Sequence, residues 1–200
     1  METLLYILKL IPFYLIGAFP TGMIIAKLNG VDITKTGSGN VGATNLARTL
    51  GKKAGILTLL GDLGKGVISI VICHYFLSKN LDTKALVALV TVLGHCFSLP
   101  KLRGGKGVAT SLGVILAISP KIALGALLVF VVIFAIFKIV SLSSITAAIF
   151  LPILFFLSNM GDVRSVHYIM LISFVVILRH YPNIKRLLKG EEKKFSFGKK

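Results

Sequence analysis

Seven apolar runs separated by polar connections organise the chain: Leu4–Leu28, Ala54–Leu77, Ala85–Leu99, Val108–Ile118, Ile122–Phe137, Leu142–Leu157 and Val166–Leu178. Predominantly apolar runs of this length predict helices buried in a bilayer rather than the half-polar faces of surface helices or strands. Several are short of a full crossing. Val108–Ile118 reaches only about 16 Å as a helix, so one end must lie in protein or polar surroundings. Ser119-Pro120-Lys121 then reverses the chain. The first run lacks a basic start and an A-x-A-like cleavage site and is followed by further runs, so it reads as a span rather than a signal peptide.

Composition agrees: 55% of residues are hydrophobic, 15% charged and none is Trp, and the mean hydropathy is +0.89. These values exclude a soluble domain of this length. The expectation is an all-α polytopic membrane protein, one domain over residues 1–200, with seven transmembrane helices. Charge sets the orientation, because Lys and Arg accumulate on the cytoplasmic side. With the N-terminus outside, seven crossings place 17 of the 23 basic residues, the C-terminal tail's included, on the cytoplasmic face. Only Lys79, Lys84, Lys121 and Arg164 fall opposite, and Lys9 and Lys65 lie within runs. The net charge of +16 is then mostly topology and attraction to anionic lipid head groups. Basic residues dispersed over loops, with no soluble domain to carry them, argue against nucleic acid as a partner.

Three polar motifs interrupt this pattern, all on the cytoplasmic face, and none contains an acid. They are Gly37–Arg48 (GSGNVGATNLAR), Gly104–Thr110 (GGKGVAT) and His180–Leu188 (HYPNIKRLL). The first contains Gly37-x-Gly39-x-x-Gly42 but follows a membrane helix, with no βαβ unit for a dinucleotide, and Ala43-Thr44 stand where a P-loop needs Lys and Ser/Thr. What remains is anion chemistry. Gly39 and its neighbours let backbone approach a phosphate, Ser38, Asn40, Thr44 and Asn45 offer donors, and Arg48 a bidentate cation. The plainer alternative is a loop of small residues for close helix packing. In the second motif, Gly104, Gly105, Lys106 and Gly107 open the short helix, setting backbone N–H groups beside an ammonium; the alternative is a flanking basic turn. The third predicts a short surface helix. Pro182 suits its first turn, Ile184, Leu187 and Leu188 share one face, Lys185, Arg186 and Lys189 take the other, and Gly190 suits the stop. Residues Glu191–Lys200 read as a solvated end.

Outside the motifs, Asp62 and Lys65 lie one helical turn apart inside a run and are expected to pair. His95 either faces the motif site or packs with a hydrogen bond. One of Ser141, Ser143, Ser144 and Thr146 could reach the same pocket. Cys73 and Cys96 sit in apolar runs without C-x-x-C spacing, which suits packing. The seven acids are scattered, so no metal is expected.

In order and spacing, these motifs resemble the signatures of the bacterial acyl-phosphate:glycerol-3-phosphate acyltransferases, the PlsY family. Ser38 to Arg48, Gly104 to Thr110 and His180 to Glu192 match the family's three cytoplasmic motifs, Gly190 and Glu192 included. The resemblance implies a seven-helix enzyme of the bacterial inner membrane, active on its cytoplasmic side. It moves a fatty acyl group from acyl phosphate to the first hydroxyl of sn-glycerol 3-phosphate, giving lysophosphatidic acid and phosphate. It implies no cofactor and no obligate protein partner, only the two substrates and membrane lipids. Arg48 and Lys106 would hold the phosphates, Ser38, Asn40 and the glycine N–H groups would complete the cradle, and His180 and Asn183 would position glycerol phosphate. The base is either His180 or a substrate phosphate oxygen, with the substrate-assisted route favoured. Ser38 lacks a neighbouring base and a G-x-S-x-G elbow, so a covalent route is disfavoured. No His is followed five residues later by Asp, which excludes H-x-x-x-x-D acyltransferases as templates. A transporter of an anionic phosphometabolite is the alternative class, but no half-to-half repeat is visible.

Overall fold

The computed structural model describes residues 2–99, 104–158 and 163–195. Lys101, Arg103, Lys199 and Lys200, which entered the charge argument, lie outside the described residues. Ten α-helices follow one another, with no strand among the described residues: α1 (Glu2–Ala18), α2 (Thr21–Leu28), α3 (Ala43–Leu50), α4 (Lys52–Ile72), α5 (Leu81–Cys96), α6 (Val108–Ile118), α7 (Pro120–Phe137), α8 (Val140–Leu157), α9 (Val163–Arg179) and α10 (Tyr181–Leu188).

The sequence predicts one helix over Leu4–Leu28, and the structure divides it at Phe19-Pro20. Proline cannot donate to the preceding turn, so the ladder breaks there. The break exposes the Phe19 carbonyl, which accepts a hydrogen bond from Lys65 Nζ at 3.1 Å. Lys65 also pairs with Asp62 at 2.9 Å, both side chains almost fully buried, as their spacing predicts. Reversal at Ser119-Pro120 is also as expected: the Ser119 hydroxyl accepts from Ile122 N–H, and Pro120 opens α7. By length and composition four stretches of the described residues suffice to cross a membrane: Leu5–Leu28, Lys52–Leu77, Pro120–Phe137 and Val140–Leu157. The pair α9 and α10, bent by 59°, makes a fifth if counted as one. Helices α5 and α6 are shorter.

The interior joins an apolar core around Ile70, Val92, Ile115, Phe155 and Ile172 to many buried polar side chains, while the outer surface is apolar. Leu57, Leu60, Ile68, Leu128 and Phe174 face outward, while Thr58, Ser69, Thr91, Ser143, Ser144 and His95 are buried. That arrangement is what lipid requires, since a polar group left in hydrocarbon costs several kcal/mol. Thr58, Thr91, Ser143 and Ser144 satisfy themselves by donating to the carbonyl four residues earlier. With no water to drive association, helices gain by close approach. At Gly113 a Cβ would lie 2.1 Å from the Leu63 carbonyl oxygen and at Gly66 2.5 Å from that of Thr110, so α4 and α6 touch backbone to backbone. The short α6 is thereby held inside protein with its N-terminus next to the motif loops.

Candidate active site

The first motif is a self-supporting loop. Asn45, 3% exposed, accepts from Ser38 N–H at 3.0 Å and donates both amide hydrogens, to the carbonyls of Thr36 and Asn40, each at 2.9 Å. Asn40 Oδ1 in turn accepts from Gly42 N–H. Gly37 and Gly39 take positive φ, and a Cβ on Gly37 would lie 2.2 Å from Asn45 Oδ1, so the turn around this amide needs glycine. Asn45 therefore builds the loop; its donors are used within it. Ser38 and Gly39 are exposed at the tip. Thr44 lies in the first turn of α3, and Arg48 one turn further along.

The second motif ends in Gly107, whose φ of 87° turns the chain into α6. Ser111 N–H closes the first turn on the Gly107 carbonyl, leaving the N–H groups of Val108, Ala109 and Thr110 without intrahelical acceptors. Lys106 stands immediately before them, and its ammonium has no hydrogen-bond or ion-pair partner among the described residues. Burial lowers its pKa to about 8; Glu192 works against that, while Arg186, Arg48 and Arg179 add to it.

The third motif meets the second at His180, which is 2% exposed. Its Nδ1 lies 2.8 Å from the Val176 carbonyl oxygen. Only a protonated Nδ1 makes a hydrogen bond there, which leaves Nε2 as an acceptor. Burial, with the Lys106 charge beside it, takes the His180 pKa down to about 4, so the ring is neutral at pH 7. Asn183 donates to Glu192 Oε1 at 2.6 Å, Arg186 Nε to Oε2 at 2.6 Å, and Ser141 to Oε1 at 2.7 Å. Burial acts to raise the Glu192 pKa, but these three donors hold the carboxyl below its ordinary range.

The tail corrects the expectation of a solvated end. Residues 191–195 fold back over the motifs: the carbonyls of Lys193 and Lys194 accept from Arg48 Nη2 at 3.3 and 3.4 Å, and Phe195 N–H donates to the Lys138 carbonyl at 2.7 Å. The cause is electrostatic. One carboxylate, Glu192, faces Arg186 and Lys106, and the chain around it follows. Its only sequence signal is the acid pair Glu191-Glu192 just beyond the third motif. Of the hydroxyl run, Ser141 reaches this carboxylate, whereas Ser143, Ser144 and Thr146 bond back into α8.

Two spaces adjoin the cations. An apolar cavity of about 80 Å³ runs from Val108, at the start of α6, past Phe130 and Ala148 to Ile115 and Leu151. A smaller polar one of about 20 Å³ lies under Gly104 and Gly105 and is lined by Thr21, Asp62, Lys65 and His95; it has room for about one water.

Known proteins share this sequence pattern and fold. The family model described as glycerol-3-phosphate acyltransferase matches residues 7–190. A glycerol-3-phosphate acyltransferase of Trichlorobacter lovleyi is 45% identical over 183 residues, covering 91% of this chain and 93% of its own. Two crystal structures of PlsY (YgiH), an integral membrane glycerol 3-phosphate acyltransferase, superpose with TM-scores of 0.89 for the glycerol 3-phosphate form and 0.87 for the lysophosphatidic acid form. Each is 41% identical and covers 95% of both chains. A helical bundle with an apolar outer surface, acid-poor cationic loops and relatives matched over nearly their whole length lead to one assignment: this chain belongs to the glycerol-3-phosphate acyltransferase family of integral membrane enzymes.

Proposed function

We propose that the protein transfers a fatty acyl group from acyl phosphate to the 1-hydroxyl of sn-glycerol 3-phosphate, releasing lysophosphatidic acid and phosphate. The observation that carries this reading is the Lys106 ammonium, which has no partner among the described residues and stands just ahead of the N-terminus of α6 among three guanidinium groups and one carboxylate, with an apolar cavity beginning two residues on at Val108. Both substrates bring phosphates of charge about −1.5 to −2, and one brings an acyl chain.

The acyl chain lies in the cavity between α6, α7 and α8. Its phosphate rests against Lys106 and the free N–H groups of Val108 to Thr110, with Gly104, Gly105 and Gly107 keeping the backbone close. Arg48 takes the second phosphate, exchanging the tail carbonyls of Lys193 and Lys194 for phosphate oxygens. Ser38, Gly39, Asn40 and Thr44 border that position, and Asn45 fixes their loop. The neighbouring 2-hydroxyl of the glycerol donates to His180 Nε2, which orients the 1-hydroxyl toward the acyl phosphate, and Asn183 steadies the same end through Glu192. The 1-hydroxyl oxygen attacks the acyl carbonyl carbon, the carbon–oxygen bond to phosphate breaks, and the alcohol proton passes to a phosphate oxygen. A neutral His180 of pKa about 4 is a weak base at pH 7, and this favours the substrate-assisted route over proton abstraction by the ring. We read the chain as seven spans with its N-terminus outside and these loops on the cytoplasmic face of the bacterial inner membrane; the excess of basic residues on the motif side supports it.

Purified protein supplied with palmitoyl phosphate and glycerol 3-phosphate tests the reading through phosphate release and lysophosphatidic acid formation. Turnover that Lys106→Gln reduces at least a hundredfold is expected. Lack of lysophosphatidic acid, or an unaffected Lys106→Gln variant, refutes it.

A further inference from the structure

The Gly104–Gly105 turn is gripped from two sides by residues that no step of the reaction requires. From α9, Arg179 Nη2 donates to the Gly104 carbonyl at 2.8 Å and Nε to the Gly105 carbonyl at 3.1 Å, while its guanidinium sits 5.4 Å from the centre of the Phe97 ring. From α5, the His95 carbonyl accepts Gly105 N–H at 3.1 Å. The turn is packed closely on the α5 side: a Cβ on Gly104 would lie 1.8 Å from the His95 carbonyl oxygen and one on Gly105 2.2 Å from His95 Nε2. His95 is itself braced, with Nδ1 3.6 Å from Asp62 Oδ1, the oxygen that holds Lys65. The buried cluster of α4 thus forms the floor, and Arg179 the lid, of the turn that carries Lys106.

We propose that Arg179 is a positioning residue for acyl transfer: by bonding two successive carbonyls it fixes the peptide planes before Lys106 and locks the second motif to the third. In a trans peptide the N–H opposes the C=O. Turning the Gly104 carbonyl toward Arg179 sends Gly105 N–H to His95, and turning that of Gly105 sends Lys106 N–H away from the guanidinium. Arg179 immediately precedes His180, so the same side chain sets the distance between the phosphate-binding lysine and the residue assigned to the glycerol hydroxyl. A planar fork reaches two adjacent carbonyls, which a lysine ammonium at the end of a flexible stem does not reproduce.

The inference rests on the acyltransferase reading and on Lys106 as a phosphate ligand, and a double-mutant cycle separates the two. Arg179→Lys, Lys106→Gln and the double variant are prepared as full-length protein in detergent. For each, kcat/KM for palmitoyl phosphate, the affinity for a non-hydrolysable acyl phosphonate analogue of acyl phosphate by calorimetry and the melting temperature are measured. Arg179→Lys is expected to lower kcat/KM at least tenfold at an unchanged melting temperature, and to cost less than twofold when Lys106 is already Gln. Where turnover of the double variant falls below detection, the same cycle is read in affinity. Wild-type kcat/KM in Arg179→Lys, or equal losses in both backgrounds, overturns the positioning role and leaves the acyltransferase reading intact. A loss that tracks a fallen melting temperature likewise assigns Arg179 to stability alone. Wild-type turnover in Lys106→Gln instead removes the phosphate-ligand assignment on which the inference stands.

Discussion

Lys106 gives the sharpest test because its protonation and its role are tied to the same cluster. Burial and the neighbouring Arg186, Arg48 and Arg179 outweigh Glu192 and bring its pKa from 10.5 to about 8 in the empty site. A phosphate ligand needs the ammonium, so the active form is the protonated one, present below pH 8 and lost above it. The kcat/KM profile, which reports the free enzyme, should therefore fall tenfold per pH unit above about 8. His180, of pKa about 4, contributes no limb near neutrality, and the acid side follows the second ionisation of the substrate phosphate near pH 6. A bound phosphate changes the result: a unit charge about 4 Å away at an effective dielectric of 20 is worth about 4 kcal/mol. At about 1.4 kcal/mol per pKa unit, that returns Lys106 above pH 10. The kcat profile should consequently stay flat to pH 10 while kcat/KM declines. Initial rates of phosphate release from pH 5.5 to 10, corrected for spontaneous acyl phosphate hydrolysis, give both curves. Arg at this position never titrates in this range, so Lys106→Arg should retain measurable activity and lose the alkaline limb. A flat wild-type kcat/KM, or an alkaline limb unchanged in Lys106→Arg, refutes the assignment.

Asp62→Asn leaves the Lys65 ammonium buried without its counter-ion and should cost about 3–5 kcal/mol, read as a fall in melting temperature in detergent; Asp62→Asn with Lys65→Met should recover part of it. Ala148→Phe narrows the apolar cavity and should cut kcat/KM for palmitoyl phosphate more than tenfold while sparing an octanoyl donor, and equal losses for the two would remove the acyl chain from this cavity. Glu192→Gln cannot answer the cations around it and should release residues 191–195, seen as faster tryptic cleavage after Lys193 and Lys194. Replacement of Ser38 by Ala should lower kcat less than a hundredfold, the loss the proposed route expects of a phosphate donor; a larger loss would point to a covalent acyl-enzyme instead.

Hydropathy alone determined that the chain is a helical membrane protein, because no other arrangement satisfies backbone polar groups in long apolar runs. Local chemistry also settled several breaks, the Ser119-Pro120 reversal and the glycine turn into α6 among them, since caps and positive φ act over a few residues. The Asp62–Lys65 pair followed from helical spacing, and the motif residues from their donors and cations. The split of the first helix at Pro20 was equally local, but its use was not: the freed Phe19 carbonyl serves Lys65, 46 residues away. Asn45 carries the same donors whether it meets a ligand or its own loop, and only the path of the chain through Thr36 and Asn40 decided for the loop. The tail's course depended on a charge balance assembled from α3, α10 and the second motif, so sequence alone left residues 191–195 in solvent. Arg179 and His95 show the same limit. Nothing local marks either as a clamp, because a grip on two glycine carbonyls exists only once helices far apart in the chain are packed on opposite sides of one turn.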